Sequence, residues 1–176
     1  MIQHPLEQFV YCPRCGAKSF NVTNEKAKKC AACGFTYYFN PSSAVACFLV
    51  NSDGRLLLVR RAKNPAKGTL DLPGGFADMN ETAEEVVHRE IKEETGLDIT
   101  SCRYLFSIPN IYPYSGFEVH TLDLFFICEV QSFEDAKAND DASEIVILPP
   151  SELSSADFGL FSIKKAVEMF KLSHIE

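Results

Sequence analysis

The sequence predicts an α/β domain carried behind a small cysteine-clamped ribbon, and three observations lead there. Two Cys-x-x-Cys knuckles, Cys12/Cys15 and Cys30/Cys33, stand close together near the start. Short apolar, strand-like runs bounded by turn residues follow them. Helix-period segments within 75–97 and near the carboxyl end are set among those runs. A chain of 176 residues suits one medium domain plus such a module.

The ribbon comes first, over residues 1–38, with the larger domain at 39–176. Its two knuckles are separated by fourteen residues. Zinc takes four soft ligands in a tetrahedron, and Cys12, Cys15, Cys30 and Cys33 supply them with no open position, which marks a structural site. Gly16 and Gly34 each follow the second cysteine of a knuckle, where the chain must turn tightly. Residues 19–24 are suited to a small hairpin. The competing reading, a redox pair, would need one knuckle beside a thioredoxin-like unit. So small a module has little apolar core, so metal binding supplies much of its folding energy.

The larger domain then reads as a succession of elements. Residues 44–50 form a strand, and Asn51-Ser52-Asp53-Gly54 turns it into a second strand at 55–60. Arg60, Arg61 and Lys63 follow, where cations can approach phosphate groups. Residues 70–76, LDLPGGF, are extended and break at Pro73, Gly74 and Gly75. Further strands are expected at 99–108, 119–130 and 144–148, and a closing helix at 158–172 with Ile163, Ala166, Val167 and Phe170 inward. Residues 107–120 are expected to form a loop, because Pro109, Pro113 and Gly116 interrupt the strand pattern. That loop offers Tyr112, Tyr114 and Phe117 as stacking faces, and Asn110 and Ser115 as hydrogen-bonding groups. Residues 135–144 form a second exposed loop, with Asp140, Asp141 and Glu144 near its end.

The chemistry concentrates in residues 75–97, GFADMNETAEEVVHREIKEETGL. Asn80 or Thr82 caps the helix, Glu84 and Glu85 favour its first turn, and Gly96 ends it. At about 100° per residue, Glu90, Glu93 and Glu94 project within one sector. Ala83, Val86, Val87 and Ile91 point toward much the same side, so the acids share the face that should meet the protein. Carboxylates so close repel one another and are costly to desolvate alone. A divalent cation resolves both problems, and hard oxygen ligands suit magnesium or manganese. Glu85–Arg89 and Arg89–Glu93 are both i,i+4 pairs available to hold an acid in place.

Gly75, Glu81, Arg89, Glu90, Ile91, Glu93, Glu94, Gly96 and Leu97 match the spacing of the Nudix box, and the sequence resembles the Nudix hydrolases. The resemblance implies a Nudix-type α/β/α sandwich with a mixed sheet, preceded here by the zinc ribbon. It implies hydrolysis of a pyrophosphate bond in a nucleoside diphosphate linked to another moiety, with catalytic Mg²⁺ or Mn²⁺. Glu90, Glu93, Glu94 and the Gly74 carbonyl correspond to the metal ligands. Arg89 corresponds to the residue orienting a box glutamate, and Glu81 to an organiser of metal or water. The attacking water is polarised by metal and deprotonated by a nearby carboxylate, which the spacing leaves unassigned.

A four-cysteine ribbon before a Nudix box also resembles the NAD(H) pyrophosphatase branch, whose relatives include hydrolases of NAD-capped RNA. That branch follows its box with a serine-glutamine-proline-tryptophan-proline-phenylalanine-proline array. Here residues 107–114 read SIPNIYPY, keeping Ser107, Pro109 and Pro113, and tryptophan occurs nowhere. The exact substrate therefore stays open, as does a non-catalytic nucleotide- or RNA-binding role.

Net charge is −7, which argues against a general polyanion-binding surface. Nucleic acid is not an expected partner, capped RNA excepted. In the ribbon Arg14, Lys18, Lys26, Lys28 and Lys29 outweigh Glu7 and Glu25, but four thiolates on one zinc add about −2. An apolar run of roughly 18 residues, the length for a membrane span, is missing. Seven cysteines, an odd number, fit a reducing cytoplasm. Cys47, Cys102 and Cys128 read as buried free thiols. The Nudix resemblance makes a homodimer a possible assembly and leaves the oligomeric state open.

Overall fold

The computed structural model describes residues 4–139 and 141–173, and the chain divides into two compact units, Met1–Pro41 and Ser42–Glu176. The first is a three-stranded antiparallel sheet of β1 (Phe20–Asn24), β2 (Ala27–Cys30) and β3 (Thr36–Tyr38), in that order. Its buried apolar cluster is only Cys12, Phe20 and Cys30, with Ala17, Cys33 and Phe35 against it.

The second unit holds β4 (Ser42–Val50), β5 (Leu56–Arg61), β6 (Leu70–Asp71), α1 (Ala83–Thr95), β7 (Ser101–Tyr114), β8 (Phe117–Glu129), β9 (Ala142–Leu148) and α2 (Phe161–Ser173). Its six-stranded sheet runs β6-β5-β4-β8-β7, with β9 pairing to β5. The β4–β8 pair is parallel and the others are antiparallel, so the sheet is mixed.

Strand side chains alternate faces, and the two faces have different helices. Val45, Cys47 and Leu49 of β4, with Phe126 and Cys128 of β8, pack against Val86, Val87 and Ile91 of α1. Ala46 and Phe48, with Phe125, pack against Ile163, Ala166, Val167 and Phe170 of α2. The result is the expected α/β/α sandwich. Each fully buried aliphatic side chain contributes roughly 1.5–3 kcal/mol, so Val86, Val87 and Ile91 outweigh the capping interactions of α1.

Local signals place α1. Thr82 is its N-cap: its hydroxyl accepts from the Glu85 N–H at 3.2 Å, and the Thr82 N–H donates to the Glu85 carboxylate at 2.8 Å. Asn80, the other candidate, is in a left-handed turn at φ 69° outside the helix. Engaged in this capping box, Glu85 does not pair with Arg89, contrary to the i,i+4 expectation. Gly96 closes the helix at φ 75°, its N–H donating to the Lys92 carbonyl.

Three expectations are corrected. Residues 107–120 are not a loop. β7 runs unbroken through Pro109 and Pro113 to Tyr114 and turns at Ser115 (φ 52°) and Gly116 (φ 74°) into β8. β7 is the edge strand, and both prolines share one parity along it, so their missing N–H groups face away from β8. Two successive positive-φ residues make the tight hairpin connection that matches strand twist. The closing helix starts at Phe161 rather than at 158, because Phe158 forms a bridge with Leu70. Glu144 belongs to β9, which begins at Ala142, rather than to the preceding loop; Asp140 lies outside the described residues.

Candidate active site

The loop between β6 and α1 is clamped on both sides. The Val45 and Cys47 N–H groups of β4 donate to the Gly75 and Pro73 carbonyls, each at 2.9 Å, and the Ala77 N–H donates to the Ser43 carbonyl at 3.1 Å. At Gly74 (φ 150°) a Cβ would stand 2.2 Å from the Val45 carbonyl oxygen. At Gly75 a Cβ would stand 2.4 Å from Oε1 of Glu90. Backbone therefore packs where no side chain fits, and the Glu90 carboxylate lies directly on the loop. The Gly74 N–H, turned away from β4, donates to Oε2 of Glu94 at 3.0 Å.

The three box acids form a gradient from core to solvent. Glu94 is 7% exposed, while the side chains of Glu90 and Glu93 are 14% and 51% exposed. Arg89 ties the outer two together. Its Nη1 donates to Glu90 at 2.8 Å and Glu93 at 3.1 Å. Its Nε and Nη2 donate to the two oxygens of Glu81 at 2.7 and 2.8 Å, and Nη2 also reaches the Phe76 carbonyl at 3.0 Å. Every guanidinium nitrogen is engaged, and lysine could not reproduce that fork.

This network separates the acids electrostatically. Hydrogen bonds from Arg89, then from the Asp78 N–H, bring Glu81 down to about 2. Glu94 moves the other way, to about 8. Burial is the main cause, and the neighbouring carboxylates of Asp71, Glu90 and Asp141 add to it, against the Gly74 N–H. A buried acid surrounded by acids is a group that could take a cation.

Glu94 opens into a cavity of about 410 Å³. Its wall also includes Gly74, Asn110, Tyr112 and Tyr114 from the sequence expectations, together with Asp141. Glu81, Arg89, Glu90 and Glu93 stand beside the wall, joined to it through Gly75 and Phe76. Arg60 and Phe117 do not line it. Arg60 is turned to Glu144 (2.5 Å) and the Gly68 carbonyl (3.0 Å), and Phe117 sits beside the hairpin turn.

Of the cations Arg60, Arg61 and Lys63 expected near phosphate, Arg61 is the one in the cavity wall. It lines the cavity, donates to buried Asp71 at 2.5 Å and to the Tyr112 hydroxyl at 3.2 Å, and is fixed by the Pro65 carbonyl at 2.7 Å. Burial pushes the Asp71 carboxyl up, and Arg61 opposes that shift. The expectations also omitted Phe76, Thr121 and Asp123, all in the wall. The Phe76 and Tyr112 rings meet edge to face, 5.8 Å apart.

In the first unit, the thiol sulfurs of Cys12, Cys15, Cys30 and Cys33 all lie within 4.8 Å of one another. Cys12–Cys33 and Cys15–Cys30 are separated by 3.8 and 3.7 Å. Tetrahedral zinc with Zn–S near 2.3 Å sets sulfurs about 3.8 Å apart, so the cluster is dimensioned to hold a metal ion. Gly16 (φ 73°) and Gly34 (φ 74°) close two equivalent knuckles, their N–H groups donating to the Cys12 and Cys30 carbonyls. The backbone N–H of Cys33 leads in bringing the Cys30 thiol down to about 6, outweighing burial with help from Ala32 and Ser19.

The domain is a mixed-sheet α/β/α sandwich with an acidic helix edge on a glycine loop beside a cavity. Residues 40–169 match the NUDIX domain, and the chain belongs to that family. It is 41% identical over 112 residues to the ADP-ribose pyrophosphatase of Methanocaldococcus jannaschii, covering 62% of this chain and 63% of that protein. It is 33% identical over 114 residues to the NAD-capped RNA hydrolase NudC of Vibrio atlanticus, covering 64% of this chain and 41% of that one. The matches thus span less than two thirds of either relative's length. Among solved structures, a NUDIX hydrolase from Nitrosomonas europaea superposes with TM-score 0.72 at 21% identity, covering 93% and 91% of the two chains. The NUDIX domain of Shewanella oneidensis NrtR, complexed with ADP ribose, gives 0.62 at 18% identity, covering 76% and 88%. These two support the fold.

Proposed function

We propose that this protein hydrolyses the pyrophosphate bond of a nucleoside diphosphate linked to a second moiety, releasing a nucleoside monophosphate and the other phosphorylated half. The observation that carries the reading is Glu94. It is buried in the cavity wall, held by the Gly74 N–H, and lifted to about 8 by burial and surrounding carboxylates. Nothing in a purely structural role favours an acid there.

Glu90, Glu93 and Glu94, with the Gly74 carbonyl, are the ligands for Mg²⁺ or Mn²⁺. Bound there, such cations polarise the attacking water and neutralise charge on the phosphate oxygens. Arg89 holds Glu90 and Glu93 in position by ion pairs, and Glu81 holds Arg89. Both Glu81 oxygens accept from the Arg89 guanidinium, which makes Glu81 a positioning group. Asp141 is an off-helix carboxylate of the wall and is paired with Lys63. The base is drawn from Glu94 and Asp141. Arg61, fixed by Asp71 and Tyr112, supplies positive charge for a phosphate in a wall whose other charged groups, Asp71, Glu94, Asp123 and Asp141, are acidic. Cys12, Cys15, Cys30 and Cys33 hold structural Zn²⁺.

ADP-ribose is the first substrate to test, since the relative at 41% identity is an ADP-ribose pyrophosphatase. NADH and NAD-capped RNA come next. A mass-resolved panel with Mg²⁺ or Mn²⁺ should yield AMP and ribose 5-phosphate from ADP-ribose. Glu94→Gln should lower turnover by about 100-fold or more, the scale on which loss of metal-site support is felt, while the protein stays folded. Full turnover in both Glu93→Gln and Glu94→Gln would remove this assignment. Tight nucleotide retention without cleavage of any substrate would instead identify a binding protein.

A further inference from the structure

One end of the cavity has polar groups that hydrolysis does not use. Thr121 on β8 is 3% exposed and lines the cavity, and its hydroxyl has no hydrogen-bond partner among the described residues. A buried hydroxyl left without a partner is costly, so its presence needs a reason. Directly across the strand pair is Asn110 of β7, which also lines the cavity. Two residues along β8 lies Asp123, 7% exposed and in the same wall.

Asp123 sets the amide of Asn110. Its Oδ2 accepts from Asn110 Nδ2 at 3.1 Å and from the Ser162 hydroxyl of α2 at 2.5 Å. A carboxylate accepts hydrogen bonds and an amide nitrogen donates them. The Asn110 amino group is therefore committed to Asp123, and its carbonyl oxygen points elsewhere. Asp123 Oδ1 accepts no hydrogen bond from the described residues. This end of the cavity thus offers two acceptors, Asn110 Oδ1 and Asp123 Oδ1, beside one hydroxyl that can donate or accept. A phosphate would be repelled there. A neutral, flat group bearing N–H donors next to a ring acceptor complements it, with Tyr112 and Phe76 supplying aromatic wall.

We propose that Asn110, Thr121 and Asp123 read the nucleobase of the substrate and require an exocyclic amino group on it. The amino group donates to the acceptor pair, and the Thr121 hydroxyl meets the adjacent ring nitrogen. Replacing the amino group with an oxo group removes a donor and sets an oxygen against two acceptors. The reading rests on the proposed hydrolysis of a nucleoside diphosphate derivative, and it names the base-selecting residues of that site.

The test compares ligands that differ only in amino against oxo. ADP-ribose should exceed its hypoxanthine counterpart in kcat/KM by at least about 10-fold, since sites built to hydrogen-bond a group discriminate strongly against its loss. Without catalytic metal, adenosine should perturb the amide resonances of Asn110, Thr121 and Asp123 in an NMR titration at concentrations where inosine does not. Thr121→Val removes no hydrogen bond of the ligand-free fold, so it should unfold at an equal or higher temperature. It should still raise KM about 10-fold, the equivalent of one hydrogen bond. Asn110→Leu should bring the amino-to-oxo ratio toward one. Equal handling of both bases by the wild type, or an unchanged KM in Thr121→Val, overturns the base-reading role and leaves hydrolysis standing. Selective adenosine binding with no cleavage of any diphosphate leaves the base-reading role standing and overturns hydrolysis. Binding of neither nucleoside, with equal cleavage of both diphosphates, also removes the base-reading role.

Discussion

Glu94 couples stability to pH in a direction opposite to that of most carboxylates. Its acid lies near 8 in the folded chain, against an ordinary value of 4.5. Between those limits the folded state keeps a proton that the unfolded state has lost, so unfolding releases a proton and stability falls as pH rises. The contribution is fully present below about pH 4.5 and is lost by the time pH passes about 8. One proton sets a maximum slope of about 1.4 kcal/mol per pH unit. Without added divalent cation, urea unfolding should therefore report stability declining between pH 5 and 8 (approximate limits taken from that shift). Glu94→Gln should flatten the decline, and so should saturating Mg²⁺ in the wild type, because a cation favours the ionised acid. A decline of equal steepness in Glu94→Gln would locate its source elsewhere. Glu81 behaves oppositely. Held near 2 by Arg89, it contributes stability above its ordinary range and loses it only in strong acid.

At the scale of elements, α1 was legible because its signals are local. Thr82 and Glu85 sit three apart, Gly96 follows the last turn, and the apolar spacing of Val86, Val87 and Ile91 needs no distant partner to be read. Thr82→Ala should cost about 1 kcal/mol, the usual value for losing such a cap. It should leave metal-dependent turnover largely intact, because Glu90, Glu93 and Glu94 lie about two to three turns farther on. Denaturant midpoints and turnover on the same preparation check this; an unchanged midpoint would show that packing alone holds the helix start. The β7–β8 hairpin was not legible for the opposite reason. Whether Pro109 and Pro113 break a strand depends on which strand is at the sheet edge, a property of the whole ladder. The choice between Arg60 and Arg61 likewise depends on which parity of β5 faces the cavity. Thr121 and Asp123 did leave a trace in the sequence. They alternate with Leu122 and Leu124 on the same side as buried Phe125, polar residues on a strand face that should be apolar.

For the molecule as a whole, the two units rest on different sources of stability. Residues 42–176 bury two apolar clusters, one on each sheet face. The first unit has only a few buried apolar residues, two of them cysteines of the cluster. Its three short strands offset little chain entropy through so small a core, and a metal held by the four cysteines would supply the difference. Removing a ligand should then act on one unit. In Cys12→Ser/Cys30→Ser, bound zinc should fall from about one per chain to near none. Amide exchange in β1 and β2 should become fast, while exchange in β4 and β8, which close their own ladder within the second unit, should stay slow. Mass-resolved hydrogen exchange and metal analysis on one sample measure both. Retained zinc in the double variant would defeat the ligand assignment. Lost zinc with unchanged exchange in β1 and β2 would show that this small sheet folds on Phe20 and Phe35 without its metal.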